Sequence, residues 1–167
     1  MSNLRERPKR QRGFTLLEMI FAITIISVGV LGVYNGMSFA ISNTQKAREH
    51  FMSAYLAQEG IEIVKNMRDA NWIVGSEWDE GLVCANGCEA DYNTASSTFS
   101  SFPYTGRYLK IDSSGFYNYD SGADTIYQRK ITTVEPVSPT STLNIIVEVY
   151  FKGVTTTVRE DLRDWYQ

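Results

Sequence analysis

The chain has 167 residues, of which 43% are hydrophobic and 21% charged, and this length suits one domain. Its formal net charge is −3, but residues 1–13 hold five basic side chains and one acid, so the rest carries 11 Lys and Arg against 18 Asp and Glu. Such an acidic remainder argues against nucleic acid as a partner, because phosphate contacts require clustered basic side chains.

The N-terminal third combines a basic leader with an apolar run. Residues 14–41 contain a single charged residue, Glu18, and this run exceeds the roughly 20 residues that a helix needs to cross a bilayer. The basic residues that precede it are Arg5, Arg7, Lys9, Arg10 and Arg12. By the positive-inside bias, the leader stays in the cytoplasm and the C-terminal part is exported, which predicts a single-pass protein of the cytoplasmic membrane.

Two simpler interpretations of this segment stay open. Ser38-Phe39-Ala40 has the small-x-small form of a signal peptidase site, so the run could be a secretory signal removed after Ala40. It could also be an uncleaved anchor, with Glu18 reaching the lipid headgroups from the first turns of the helix. The length of the run and the carboxylate near its start weigh against a secretory signal.

The junction between leader and apolar run reads Gly13-Phe14-Thr15-Leu16-Leu17-Glu18. It resembles the type IV prepilin signal, in which a basic leader ends in glycine and is followed by phenylalanine, a hydroxyl residue, two leucines and glutamate. The resemblance implies that prepilin peptidase cuts between Gly13 and Phe14 and that the new amino terminus of Phe14 is methylated. It covers about the first third of the chain.

The position of Glu18 within an apolar segment also predicts a functional role for it on physical grounds. An unpaired carboxylate in hydrocarbon costs several kcal/mol, so an acid within a membrane segment indicates a function. In the pilin family, this glutamate pairs with the amine of the first residue of a neighbouring subunit. The resemblance therefore implies an assembly role for Glu18, whereas a tolerated interfacial acid is the simpler interpretation.

Three glycines, Gly29, Gly32 and Gly36, lie within the apolar run. Gly32 and Gly36 form a small-xxx-small spacing that lets helices approach closely in lipid, although such glycines are also common in membrane helices without that role. Major pilins often carry a helix-kinking proline in this region, and residues 33–36 contain none.

We expect the helix to continue to about Asp69. Residues spaced by three and four predict an apolar stripe on which a globular head packs, namely Ala47, Phe51, Ala54, Gln58, Ile61, Val64 and Met67. His50, the one histidine, is interpreted as a surface residue because no second metal ligand is in view.

Residues 73–106 are rich in Gly, Ser, Thr and Asn and predict irregular, exposed chain. They include Cys84 and Cys88, for which an exported compartment favours a disulfide over free or intermolecular thiols. A zinc site is disfavoured, since the chain has no other cysteine. Residues 93–101 are typical of a flexible or O-glycosylated loop.

The last third predicts an antiparallel sheet. The expected strands are residues 107–112, 125–134, 143–151 and 154–162, with turns at 112–115, 119–122 and 152–153. Pro136 and Pro139 should end the second strand. Trp165 and Tyr166 are expected to cover the sheet edge.

Asp112, Asp120 and Asp124 lie in or near Gly/Ser turns and offer carboxylates to calcium, but their spacing does not match an EF-hand loop, and turn aspartates are common. No catalytic constellation, phosphate-binding loop, cofactor site or metal site is predicted. The chain is therefore expected not to be an enzyme.

Together these features predict an α+β fold with one long N-terminal helix of about 55 residues, roughly 80 Å by helical rise, and a C-terminal antiparallel sheet, as in pilins. The expected divisions are a leader (1–13), a membrane or filament-core half-helix (14–41), an exported half-helix (42–71) and a head (72–167).

The resemblance implies a type IV pilus-type filament subunit, most similar to PilV-like minor pilins, located in the cytoplasmic membrane and then in an extracellular pilus. Its implied partners are prepilin peptidase, other pilin subunits, the inner-membrane assembly platform and membrane lipid. The alternatives are a pseudopilin of type II secretion in a periplasmic pseudopilus, a membrane-anchored binding module or adhesin that never polymerises, and a soluble exported binding protein.

Overall fold

The computed structural model describes residues 13–94, 98–135 and 142–164. These residues form one α-helix, a short 3-10 helix and a six-stranded sheet in which every pairing is antiparallel. The predicted α+β architecture, a long apolar N-terminal helix followed by an antiparallel sheet, is confirmed. The chain divides into two compact units, Met1–Lys46 and Ala47–Gln167.

Helix α1 extends over 59 residues, Leu16–Val74. It contains no proline, and Gly75 ends it by adopting a positive φ of 77°. In this conformation the N–H of Gly75 bonds the carbonyl of Trp72 at 3.1 Å, and the N–H of Ser76 bonds the carbonyl of Asn71 at 3.0 Å. These two bonds form a Schellman motif, which satisfies carbonyls that the last turn would otherwise leave unpaired.

The buried face of α1 differs in part from the predicted stripe. Ile61, Val64 and Met67 are buried as expected, whereas Phe51 is 78% exposed and Gln58 is also exposed. The residues that are buried on α1 are Ser53, Leu56, Ala57, Gly60, Ile61, Ile63, Val64 and Met67. The stripe was wrong towards its N-terminal end because the helix buries Ser53, Leu56, Ala57 and Gly60 there, and Phe51 lies off this face.

The strands are β1 (Cys84–Cys88), β2 (Tyr108–Ile111), β3 (Tyr117–Asn118), β4 (Ala123–Val134), β5 (Thr142–Phe151) and β6 (Val154–Arg163). Their order is β3-β2-β4-β5-β6, and β1 pairs with β4. Strand β4 pairs with β2 near its start and with β1 near its end, so one edge of β4 holds two short strands while its other edge pairs with β5.

Strand β5 supplies the regular side of the core. Its inward residues alternate with half-buried ones, as the period-2 pattern predicted, and all five are buried: Leu143, Ile145, Val147, Val149 and Phe151. The predicted two-residue turn connects β5 to β6 through Lys152 and Gly153, with φ values of 46° and 78°. Two positive φ angles are the signature of a type I′ hairpin turn, whose twist matches that of the strands.

The segment predicted to be irregular contains more order than expected. Strand β1 and a 3-10 helix, Phe99–Ser101, lie within it, and Phe99 is fully buried. The prediction that residues 93–101 form an exposed loop was therefore wrong at Phe99, because a lone aromatic in a Ser/Thr-rich stretch inserts into the core. The sequence also gave no sign of β3.

Some expectations lie outside the described residues. They concern Pro136 and Pro139 as strand terminators, Trp165 and Tyr166 as a cover for the sheet edge, and the part of the Ser/Thr-rich loop at 95–97.

Candidate functional site

The start of helix α1 is fixed by the side chain of Thr15. Its Oγ1 accepts a hydrogen bond from the backbone N–H of Glu18 at 3.3 Å, and its carbonyl accepts the N–H of Met19 at 3.2 Å. Thr15 is therefore the N-cap, and Glu18 stands three residues later in the T-x-x-E arrangement of a capping box. The carboxylate of Glu18 lies in the first turn, where the helix dipole favours a negative charge.

Gly13 and Phe14, the predicted cleavage pair, lie before the helix. Both residues are exposed, Phe14 to 79%, and an added Cβ at Gly13 would meet no atom within 4 Å. The peptide bond that joins them is thus outside the backbone hydrogen bonding of α1 and open to solvent. This arrangement suits a protease, which needs access to both sides of a peptide carbonyl.

The apolar part of α1 has no cover within its own chain. Residues 13–48 are all exposed, and the helix is long and apolar enough to cross a membrane, with none of its apolar 18-residue window buried. A signal sequence near the N-terminus also meets this criterion of length and apolar composition, so the criterion alone does not distinguish the two, and the cleavage motif carries the distinction. An exposed apolar surface of this size requires lipid or protein around it.

Two polar side chains of this segment bond to their own helix. Thr24 Oγ1 donates to the carbonyl of Ile20 at 2.8 Å, and Ser27 Oγ donates to the carbonyl of Ile23 at 2.7 Å. Such bonds to the i−4 carbonyl satisfy these two hydroxyl donors without help from water. Glu18 is then the one charged group that the segment must accommodate.

The three glycines of the apolar segment contact nothing in the single chain. An added Cβ at Gly29, Gly32 or Gly36 would meet no atom within 4 Å. Folding of the chain itself therefore does not require glycine at these positions. Their packing role stays a prediction about contacts with other helices.

Cys84 and Cys88 form the predicted disulfide. Both are buried, and the bond links the two ends of strand β1, which pairs with β4 so that Cys84 and Cys88 lie opposite Thr133 and Ile131. The backbone N–H of Cys84 also donates to Thr133 Oγ1 at 2.8 Å. The disulfide therefore closes a tight loop within β1, while pairing with β4 holds this strand on the sheet. Because both sulfurs are in this bond, the cysteines are not available as thiolate ligands for a metal.

The buried carboxylate of Glu89 organises the chain that follows this disulfide. Oε1 accepts the backbone N–H groups of Thr105 and Arg107, each at 2.9 Å, and Oε2 accepts Arg107 Nε at 2.6 Å. Burial by itself would raise the pKa of Glu89, but the bonds from Arg107 and Thr105 outweigh it and lower that pKa. Glu89 is therefore a structural anion.

Arg129, at the centre of the head, is fully buried and connects three elements. From β4, its guanidinium donates to the carbonyl of Leu56 on α1 at 3.1 Å and to that of Ala90 at 2.6 Å, and it lies 3.3 Å from Glu59. Tyr119 donates its hydroxyl to the carbonyl of Arg129, and burial raises the pKa of Tyr119 to about 12. These groups are engaged in holding the head together.

The remaining candidate ligands are dispersed. His50 is exposed, with its ring 5.2 Å from that of Phe151, and Asp112 Oδ1 accepts the N–H groups of Ser114 and Phe116 in its own turn. Within residues 13–94, 98–135 and 142–164, no cluster of three His, Cys, Asp or Glu side chains could hold a metal.

Sequence reasoning missed the buried charges of the head. Glu89, Asp91 and Arg129 look like surface residues in the sequence, and only the fold brings their partners together. For Glu89 a weak signal existed, since it directly follows Cys88, which the disulfide holds in place. The capping role of Thr15 was readable from the T-x-x-E spacing.

Residues 8–34 match the family model of the prokaryotic N-terminal methylation motif. Comparisons with curated proteins and with solved structures find no match to the chain. The matched segment contains the exposed cleavage pair, the helix cap and most of the uncovered apolar helix. It implies processing by prepilin peptidase and assembly with pilin machinery, and it supports a membrane-anchored precursor of the type IV pilin or pseudopilin kind.

Proposed function

We propose that this chain is a subunit of a type IV pilus-type filament, in the role of a minor pilin. One observation carries the proposal: an apolar helix that its own chain leaves uncovered begins directly after an exposed Gly13-Phe14 bond within a methylation motif. A filament subunit needs these features together, because it is stored in lipid, released from its leader and then packed among other helices.

The apolar helix has two successive environments in this proposal. Lipid covers the side chains of residues 16–41 before assembly, and the equivalent helices of other subunits cover them afterwards. The hydrogen bonds of Thr24 and Ser27 to their own helix suit both environments. Gly29, Gly32 and Gly36, which contact nothing in the single chain, are the positions at which neighbouring helices approach closely.

Glu18 provides the specificity of assembly. Cleavage after Gly13 creates a positive amine on Phe14, four residues before Glu18 in the chain. Pairing of this carboxylate with the Phe14 amine of a neighbouring subunit neutralises both charges and sets the axial offset between two helices. Within one chain, the helix dipole and the Thr15 cap hold the carboxylate at the end of the helix where that amine would arrive.

The role is structural and not catalytic. The charged side chains buried in the head serve folding: Glu89 accepts backbone N–H groups and pairs with Arg107, and Arg129 donates to backbone carbonyls and lies near Glu59. In the reaction at Gly13-Phe14, the chain is the substrate. The exported part, with its excess of acidic residues, is proposed to face the cell exterior with no nucleic-acid partner.

The test compares variants in cells that assemble filaments. Glu18→Ala should leave the mature chain in the membrane, cleaved and methylated, but absent from sheared filaments. Glu62→Ala is the matched control, since it removes an exposed carboxylate from the same helix outside the apolar segment and should assemble normally. The measurements are the intact mass of the membrane-extracted chain and its amount in the filament fraction.

The outcomes separate the alternatives. Wild-type chain that begins at Phe14 and is heavier by one methyl group, but never enters a filament, favours a static binding module. Incorporation that depends on the type II secretion machinery favours a pseudopilin. Full-length chain with or without prepilin peptidase indicates an uncleaved anchor, and a chain that begins at Ile41 indicates a soluble exported protein. Normal incorporation of the Glu18→Ala chain would contradict its assembly role.

A further inference from the structure

We propose that Thr15 is a positioning residue for leader removal: by capping α1, it keeps the Gly13-Phe14 bond out of the helix so that a peptidase can reach it. This inference rests on the proposed function. Thr15 would act on cleavage indirectly, by setting the backbone conformation of the scissile segment and not by contacting the peptidase.

The cap decides where the helix begins. The first turn of any helix leaves backbone N–H groups without partners, and Thr15 Oγ1 satisfies that of Glu18 at 3.3 Å. The carbonyl of Thr15 accepts the first helical bond, from Met19 at 3.2 Å. Helix α1 consequently begins at Leu16, and the carbonyls of Gly13 and Phe14 lie outside it.

Loss of the cap changes the most favourable start of the helix. Without Thr15 Oγ1, the N–H groups of the first turn can find partners by extending the helix by two residues, about half a turn, towards the leader. In that extension Glu18 donates to the carbonyl of Phe14, and Leu17 donates to the carbonyl of Gly13, by the i to i−4 rule. The second of these acceptors is the carbonyl of the scissile bond itself.

The location of this helix end strengthens the effect. Apart from Glu18, the residues that follow Leu16 are predominantly apolar and suited to enter the membrane, where water cannot serve the unpaired N–H groups. The choice in this setting lies between a side-chain cap and a longer helix. Thr15 resolves that choice in favour of the cap, which leaves the Gly13-Phe14 segment outside the helix.

The experiment uses the full-length precursor in detergent micelles with purified prepilin peptidase. Thr15→Ala removes the cap and favours the longer helix, and we expect the kcat/KM of cleavage to fall about fivefold, equivalent to the roughly 1 kcal/mol that an N-cap contributes. Thr15→Ser and Thr15→Asn restore a capping oxygen and should restore cleavage to within about twofold. Thr24→Ala is the matched control, since it removes a threonine hydroxyl within the same helix away from its end.

A second measurement separates capping from direct contact with the peptidase. Backbone chemical shifts of isotope-labelled precursor should show Phe14 and Thr15 as extended in the wild type and in the Ser and Asn variants, and as helical in Thr15→Ala. Slower cleavage of Thr15→Ala with an unchanged helix start would overturn the inference, as would unchanged cleavage or failure of Asn to rescue. If the peptidase does not cut the wild type at Gly13-Phe14, the proposed function fails, and this inference with it.

Discussion

At the scale of single residues, Glu89 shows how a buried charge stabilises the head. Its carboxylate is 1% exposed and accepts bonds from two backbone N–H groups and from Arg107. Because its folded-state pKa is lower than the ordinary value of 4.5, the ionised form contributes stability above that value. The contribution is lost as the pH falls through the folded-state pKa.

Glu89→Gln should lower the free energy of unfolding of the head by about 2 kcal/mol at pH 7, because an amide replaces charge-assisted acceptors and points a donor at Arg107. The difference from the wild type should shrink as the pH falls below about 4.5 and through the lower folded-state pKa, since the unfolded wild-type chain protonates this carboxylate first and the folded chain follows. Urea unfolding of the full chain in detergent, followed by near-UV circular dichroism at several pH values, measures both effects.

Glu148→Gln is the control for this prediction. Glu148 is partly exposed and lies 3.9 Å from Lys130, so its loss should cost less than about 1 kcal/mol. A Glu89→Gln variant as stable as Glu148→Gln, or a difference from the wild type that does not depend on pH, would contradict the role of the buried anion.

Residues of this kind mark the limit of prediction from sequence. Gly13, Phe14 and Glu18 are recognisable because their signal is local, a fixed order of residues before an apolar run. Glu89 and Arg129 depend on partners 16 to 73 residues away in the chain, and a charged side chain is normally on the surface. Nothing in their immediate neighbours indicates that the fold supplies those partners.

At the scale of elements, α1 meets the sheet at a glycine. An added Cβ at Gly60 would lie 2.9 Å from Val147 Cγ1 and 3.2 Å from Arg129 Cδ, one side chain on β5 and the other on β4. At position 60, the helix therefore comes so close to the sheet that even a methyl side chain would be crowded. Ser53 and Ala57, on the same buried face, are also small.

Gly60→Ala should destabilise the head by about 1 to 3 kcal/mol, because the overpacked methyl group displaces Val147 or the guanidinium that bonds Leu56. Gly32→Ala is the matched control, since it makes the same change in the same helix where no atom lies within 4 Å. It should leave the unfolding of the head unchanged. Equal stability of the two variants, measured by urea unfolding, would contradict the close approach.

The elements were predictable to the extent that their pattern is periodic. Strand β5 alternates buried and half-buried residues along its whole length, and its limits and inward face followed from the sequence. The face of α1 did not, since hydrophobicity ranks Phe51 above Gly60 although a close contact requires the smaller residue. Strand β1 has no apolar pattern, and its place in the sheet depends on its pairing with β4.

At the scale of the whole molecule, the residues that the chain buries by its own folding are separate in sequence from the apolar residues that it leaves exposed for lipid or other subunits to cover. The buried residues among those described lie between Ser53 and Leu162, all within the unit Ala47–Gln167. The described part of the other unit, from Gly13 to Lys46, is exposed throughout. The apolar half of α1 therefore requires an external apolar environment, whereas the head buries its core by itself, although α1 contributes residues to both.

This division predicts that a chain starting at Ala47 folds without detergent. It keeps every buried residue described above, and its 10 Lys and Arg against 17 Asp and Glu give a net charge that favours solubility. We expect a monomer in analytical ultracentrifugation and cooperative urea unfolding, with a free energy within about 1 kcal/mol of that of the head in the full chain.

A second truncation, which starts at Gly60, tests whether folding of the head requires the residues of α1 between Ala47 and Glu59. It removes Ser53, Leu56 and Ala57 from the buried face and deprives Arg129 of both its carbonyl acceptor on α1 and Glu59. A buried guanidinium without these partners costs several kcal/mol, so this chain should lose cooperative unfolding. Aggregation of the Ala47 chain would show that the head needs residues that precede Ala47. Stable folding of the Gly60 chain would show that the head does not need Ser53, Leu56 and Ala57, so either result would contradict a core whose helical part begins at Ser53.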